Sequence, residues 1–135
     1  MLGRKTYTRE ELANARAVID RQLAAYRAVP ASPERAAFAP LFFNGLVLEL
    51  DRFFVHRIRA VSGKDGNALN EIELLAESIM NNDGVLQGNN VIKYVPEKAV
   101  VGIAVGDRIA LTAEQFDGLY PAFLDELARK FVTEG

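Results

Sequence analysis

Glu49, Arg52 and His56 are spaced three and four residues apart, so on a helix they share one line with Gly45. An acid, a base and the chain's single histidine on one face are the ingredients of acid–base chemistry. The same residues also read as a charge ladder. Pairs at i, i+3 and i, i+4 stabilise an exposed helix by about 0.2–0.5 kcal/mol each, and a histidine near a helix end is favoured when charged by the dipole. The ladder is the simpler account. The line is kept as a candidate binding site, with Arg57, Lys64, Asn67 and Glu71 around its rim, and no residue is assigned as catalytic.

Arg57 falls among Leu50 and Phe53 on a 100° wheel, where a lone cation needs a partner. Asn70, Glu71 and Glu73 on the following helix are the nearest, so a contact from Arg57 to one of these carboxylates is expected. Asn44 and Asp51 occupy the remaining face, the one expected to see water. The segment Gly63-Lys-Asp-Gly-Asn67 precedes a helix, and helix N-termini attract anions. It lacks the glycine spacing and the Lys-Ser/Thr ending of a phosphate-binding loop, and turn chemistry explains it.

No metal or cofactor is predicted, and a carboxylate-only magnesium or manganese site stays open without a signature of its own. One histidine and a carboxylate two turns away do not converge, no second histidine exists to complete a zinc set, and there is no cysteine. Aligning Gly66 or Gly84 with the glycine of a calcium loop puts Val61 or Ile79 at the first ligand position. No nucleophile elbow or dinucleotide fingerprint appears.

The elements that must position these residues follow from periodicity and caps. Thr8-Arg-Glu-Glu11 is a capping box, and Leu12, Ala15, Ile19, Leu23 and Tyr26 continue at helical spacing until Pro30 halts the helix near Ala28. Ser32-Pro33 opens a second helix predicted to about Val61, with a kink or a junction at Pro40. Its stretch from Pro40 to Arg59 is apolar nearly all round, which marks a central helix with neighbours on several faces. Asn67 caps a third helix from Ala68 to about Asn81, closed by Asn82-Asp83-Gly84. Ile92, Tyr94 and Val100 to Leu111 are β-prone, and Gly106-Asp107 is a two-residue hairpin signal. A last helix runs from the capping box Thr112-Ala-Glu-Gln115 to about Phe131, with Pro121 inside it.

The chain of 135 residues, half of them hydrophobic, suits one domain. A net charge of −2 provides no basic field for a polyanion, so nucleic acid is disfavoured as a partner. Met1 to Thr8 lacks the apolar core of a signal peptide, and Asn44, Glu49, Asp51 and Arg52 interrupt the longest apolar run, so neither export nor a membrane span is expected.

The run Asp51-Arg-Phe-Phe-Val-His-Arg-Ile-Arg-Ala-Val-Ser-Gly-Lys-Asp-Gly-Asn-Ala-Leu-Asn-Glu71, with Val105-Gly-Asp-Arg-Ile-Ala-Leu-Thr112 and a closing helix, resembles a set of small uncharacterised bacterial proteins. The likeness covers most of the chain after Ala37. It implies a bacterial, cytoplasmic single domain and gives no residue a role.

The expectation is therefore a mainly α single domain over residues 1–135. Four principal helices pack around the buried second helix, with a short β-ribbon at about 91–112. The function favoured is a non-catalytic interaction or structural protein, a homodimer covering surplus apolar surface. The alternative is a small-molecule-binding or enzymatic domain built on Glu49, Arg52 and His56.

Overall fold

The computed structural model describes residues 6–59 and 61–133, with Thr133 described for its backbone alone. The expected reading of Met1 to Lys5 and the helix continuation through Ala60 fall outside these residues.

The protein is mainly helical. Strand β1 (Tyr7–Thr8) leads into α1 (Arg9–Ala28), opened by the expected capping box, in which the Thr8 hydroxyl and the Glu11 carboxylate each accept from the other residue's backbone N–H. Helix α2 (Pro33–Leu50) runs unbroken through Pro40. It passes directly into a π-helical segment, Asp51–Val55, and a single closing turn, α3 (His56–Ile58). Helix α4 (Ala68–Asn81) follows, capped by Asn67, and α5 (Ala113–Phe131) closes the core behind the second capping box. Strand β2 (Val132–Thr133) pairs parallel with β1, joining the two ends of the described chain. No helix among the described residues is long and apolar enough to cross a membrane.

The enclosed helix is α4 rather than α2. Every residue from Leu69 to Ala76 is buried, polar ones included, because α2, the π segment, α5 and a long arm pack around this part of the helix. Helix α2 buries Phe43, Leu46, Val47 and Leu50 and leaves Phe38 and Leu41 in solvent. Phe54, Phe116 and Phe123 join these residues in one continuous core.

The arm from Val85 to Leu111 does not fold into the expected β-ribbon. Among the described residues it holds a 3-10 turn at Pro96–Lys98 and a single antiparallel bridge, Val85 with Arg108. Leu86 donates to the Asp107 carbonyl and accepts from the Gly106 amide, so the Gly106–Asp107 turn pairs with Leu86 instead of making a hairpin. The reason lies in α4. Glu71 points out of the helix and takes the amides of Val100 (2.8 Å), Val101 (2.9 Å) and Gly102 (3.2 Å) on its two carboxylate oxygens. Three donors that a ladder would have used are committed to one buried carboxylate. Gly102 makes this turn possible. Its φ is +76°, and a Cβ there would press into the Pro96 carbonyl. The arm still delivers Leu86, Ile92, Ile109 and Leu111 to the core. Asn44 on α2 anchors its end, donating to the Ile109 carbonyl (2.9 Å) and accepting from the Leu111 amide (3.3 Å). The face of α2 expected to meet water is thus covered at Asn44 by the returning arm.

Candidate functional site

The π segment decides which side chains meet. A wider turn takes in one extra residue, and everything after it is rotated by about 100°, the angular step of one residue in an α-helix. The bond from the His56 amide to the Asp51 carbonyl, five residues back, is the signature of that turn. The Tyr7 hydroxyl, buried beneath it, donates to the Phe54 carbonyl at 2.8 Å, and the Tyr7 ring meets Phe54 edge-on.

The rotation carries Arg57 off the apolar side and into solvent, where it borders a shallow cavity of about 250 Å³ with Tyr7, Glu11, Asn14 and Phe53. The expected contact between Arg57 and α4 does not form. Arg59 takes that position. Its Nη2 lies 3.5 Å from Asp51 and its Nε 3.5 Å from Glu73. Asp51, expected to face water, is buried, because α4 packs over this side of the π segment.

Burial pushes the Asp51 carboxyl above its usual range, against the opposing pull of Arg59 and then His56. Burial also raises Glu73. Arg59 and Lys64 pull it down, and Asp51 and Glu77 push it up. Glu73 Oε1 and Arg59 Nε are both buried without a hydrogen-bond partner. The pair therefore sits in contact but not in good register, an arrangement that leaves desolvated polar atoms unmatched. Beside it opens a polar pocket of about 420 Å³, lined by Arg59, Glu73, Leu74, Glu77, Gln87, Gly88 and Asn89.

The residues singled out by spacing do not assemble into one site. Glu49 is half-buried and accepts from Gln22 of α1 at 2.8 Å. Arg52 and His56 are exposed, and neither lines any of the cavities described here. Lys64 donates to the Arg59 carbonyl at 3.3 Å. Asn67 caps α4, its side chain accepting from the Asn70 amide at 3.0 Å. Glu71 is consumed by the arm. Spacing missed Asp51, Arg59, Glu77, Gln87 and Asn89, and named Glu73 only as a partner for the wrong arginine. Asp51 and Arg59 are eight residues apart, a separation that an unbroken α-helix does not align.

A second feature lies on α2. Phe38, Leu41, Phe42 and Gly45 recur at i, i+3, i+4 and i+7 and form one outward stripe. Leu41 is 72% exposed and Phe38 50%. Phe42 stacks on Tyr26 with ring centroids 4.9 Å apart, and Val29 extends the apolar surface across the end of α1. Between these helices runs a shallow groove of about 240 Å³ bordered by Gln22, Ala25, Tyr26, Val29, Phe38 and Phe42. A Cβ added to Gly45 would touch nothing within 4 Å, so the stripe is open at that point.

Among the described residues, no group of three histidine, aspartate or glutamate side chains converges to hold a metal ion. Comparison with known protein families, with curated proteins and with solved structures finds no match.

Proposed function

We propose that this protein is a non-catalytic interaction protein that works as a homodimer, its outward α2 stripe packed against the same stripe of a second copy. The observation that carries the reading is the exposure of Leu41 and Phe38 in a continuous apolar row with Phe42, Tyr26 and Val29. Full burial of a leucine or phenylalanine stabilises by about 1.5–3 kcal/mol, so a helix that leaves such a row in water has unspent binding energy.

Self-pairing suits the chemistry of the stripe. One further heptad along, the same face carries Glu49 and Arg52. If two copies cross antiparallel at Gly45, the twofold places Phe38 of one opposite Arg52 of the other, a cation over an aromatic face. The absence of a side chain at Gly45 lets the backbones approach there. This gives Glu49 and Arg52 a role at the rim of an interface, in place of a catalytic one.

The test is solution size. Sedimentation of the full chain at high micromolar concentration is expected to show a dimer. Leu41→Asp is expected to give a monomer with an unchanged circular dichroism spectrum. A wild-type chain that stays monomeric at this concentration, or a dimer indifferent to Leu41→Asp and Phe38→Ser, overturns the reading.

A further inference from the structure

We propose that the pocket beside the π segment is a binding site for a small organic cation, an aliphatic amine or guanidine, held by Glu73 and Glu77 with Asp51 behind them. The site shares no residue with the α2 stripe and stands or falls independently of it.

Three observations point to this ligand class. First, Glu73 is only 9% exposed, lines the pocket and has an oxygen without a donor. A desolvated carboxylate oxygen of this kind costs stability until an N–H reaches it. Arg59 does not satisfy it. That guanidinium is shared between Asp51 and Glu73, and its own Nε is unmatched. Second, the charged groups around the site are Asp51, Glu73 and Glu77 against Arg59 and Lys64, with His56 near Asp51, which leaves an acidic excess of one when His56 is neutral. The balance attracts cations and repels anions. Third, no three of these acidic groups converge on a single point suitable for a metal ion. A site without a metal-binding set suits an extended molecule with several N–H donors better than a compact ion. The buried Leu74 gives an alkyl stem an apolar surface, and the Gln87 and Asn89 side chains at the rim can take a second polar end. A volume of about 420 Å³ is within the ordinary range for small-ligand pockets.

The π turn builds this site. It brings Arg59 round to Asp51 and leaves Glu73 with a partner that only half serves it. Such turns inside helices are frequent at functional sites.

The experiment is a calorimetric titration of the full chain with agmatine and with putrescine, beside magnesium chloride, glutamate and inorganic phosphate at equal ionic strength. One-to-one saturable binding of at least one of the two amines is expected, with no binding of the anions or of magnesium. Glu73→Gln is expected to weaken binding by about tenfold or more. Glu77→Gln tests the same wall from an exposed position, and it decides the matter if Glu73→Gln fails to fold. Loss of affinity of about threefold or more is expected there. Failure of both amines to bind at roughly 10 mM overturns the proposal. So does tighter binding of magnesium or of an anion, or an affinity that ignores the folded glutamine variants.

Discussion

Glu71 and Glu73 are two residues apart on α4, both buried, and they have opposite fates. Glu71 faces the arm and receives three backbone amides. Glu73 faces the π segment and receives one poorly aligned guanidinium, with one oxygen left over. The first carboxylate is architecture: it tells residues 100–102 where to lie and prevents them from forming a strand. The second borders a pocket and has binding capacity that the fold does not use. A buried charge is not by itself a sign of function, and the pair teaches that its remaining hydrogen-bond capacity separates the two cases.

The largest expected effect breaks or upholds the architectural half of that contrast. Glu71→Gln turns one of the two acceptor oxygens into a donor facing amides, and should cost about 2–4 kcal/mol in urea-induced unfolding. A cost below about 1 kcal/mol would show that the arm holds its shape without the carboxylate. Next in size is Tyr7→Phe, which removes the hydroxyl bonded within the π segment and should cost about 1 kcal/mol. Hydrogen exchange should quicken at the amides of Asp51 to His56 and stay unchanged in α5. Uniform quickening would mean that Tyr7 supports the whole fold and not this turn.

Glu73→Gln should lie within about 1 kcal/mol of wild type or above it, because replacing a half-satisfied buried ion often relieves as much as it removes. The contrast with Glu71→Gln fails if the two variants cost the same. The smallest effect is a pH dependence. Asp51 has a folded-state pKa raised above its ordinary 3.8, so the folded chain binds its proton more tightly than the unfolded chain does. Wild-type stability contributed by this group is therefore lost as pH rises from 3.8 through the raised value. Asp51→Asn lacks that loss, so its stability relative to wild type should improve from pH 4 towards pH 7. Arg59 and His56 oppose the shift, which keeps the change small although Glu77 adds to it. A relative stability that falls with pH would mean that Arg59 pairs with Asp51 more strongly than the geometry indicates.

How much of this was legible varies by element, for physical reasons. The capping boxes at Thr8 and Thr112 and the cap at Asn67 are short-range hydrogen-bond patterns that depend on neighbours within three residues, and all appear where spacing predicted them. The ribbon at 91–112 was misread because β-prone residues report a preference for extended backbone and not a partner. The partner came from Glu71, about thirty residues earlier in the chain. Spacing put Glu49, Arg52 and His56 on one line, whereas Glu49 turns to Gln22, Arg52 and His56 stay exposed, and the π segment lies between Glu49 and His56. Arg57, Arg59 and Asp51 were misplaced because a 100° wheel assumes one period throughout, and nothing in Asp51-Arg-Phe-Phe-Val55 announces a wider turn.

Residue order alone settled where each long helix begins, where α1 and α4 stop, and which stripes are apolar, since these depend on local backbone chemistry and on side-chain period. Only the tertiary structure decided that α4 is the enclosed helix, that the arm hangs on Glu71, and that Arg59 reaches Asp51 and Glu73. Each of these depends on a contact between segments distant in sequence, and the last on one extra residue in a single turn, stabilised by packing and by the hydroxyl of Tyr7, 47 residues before Phe54.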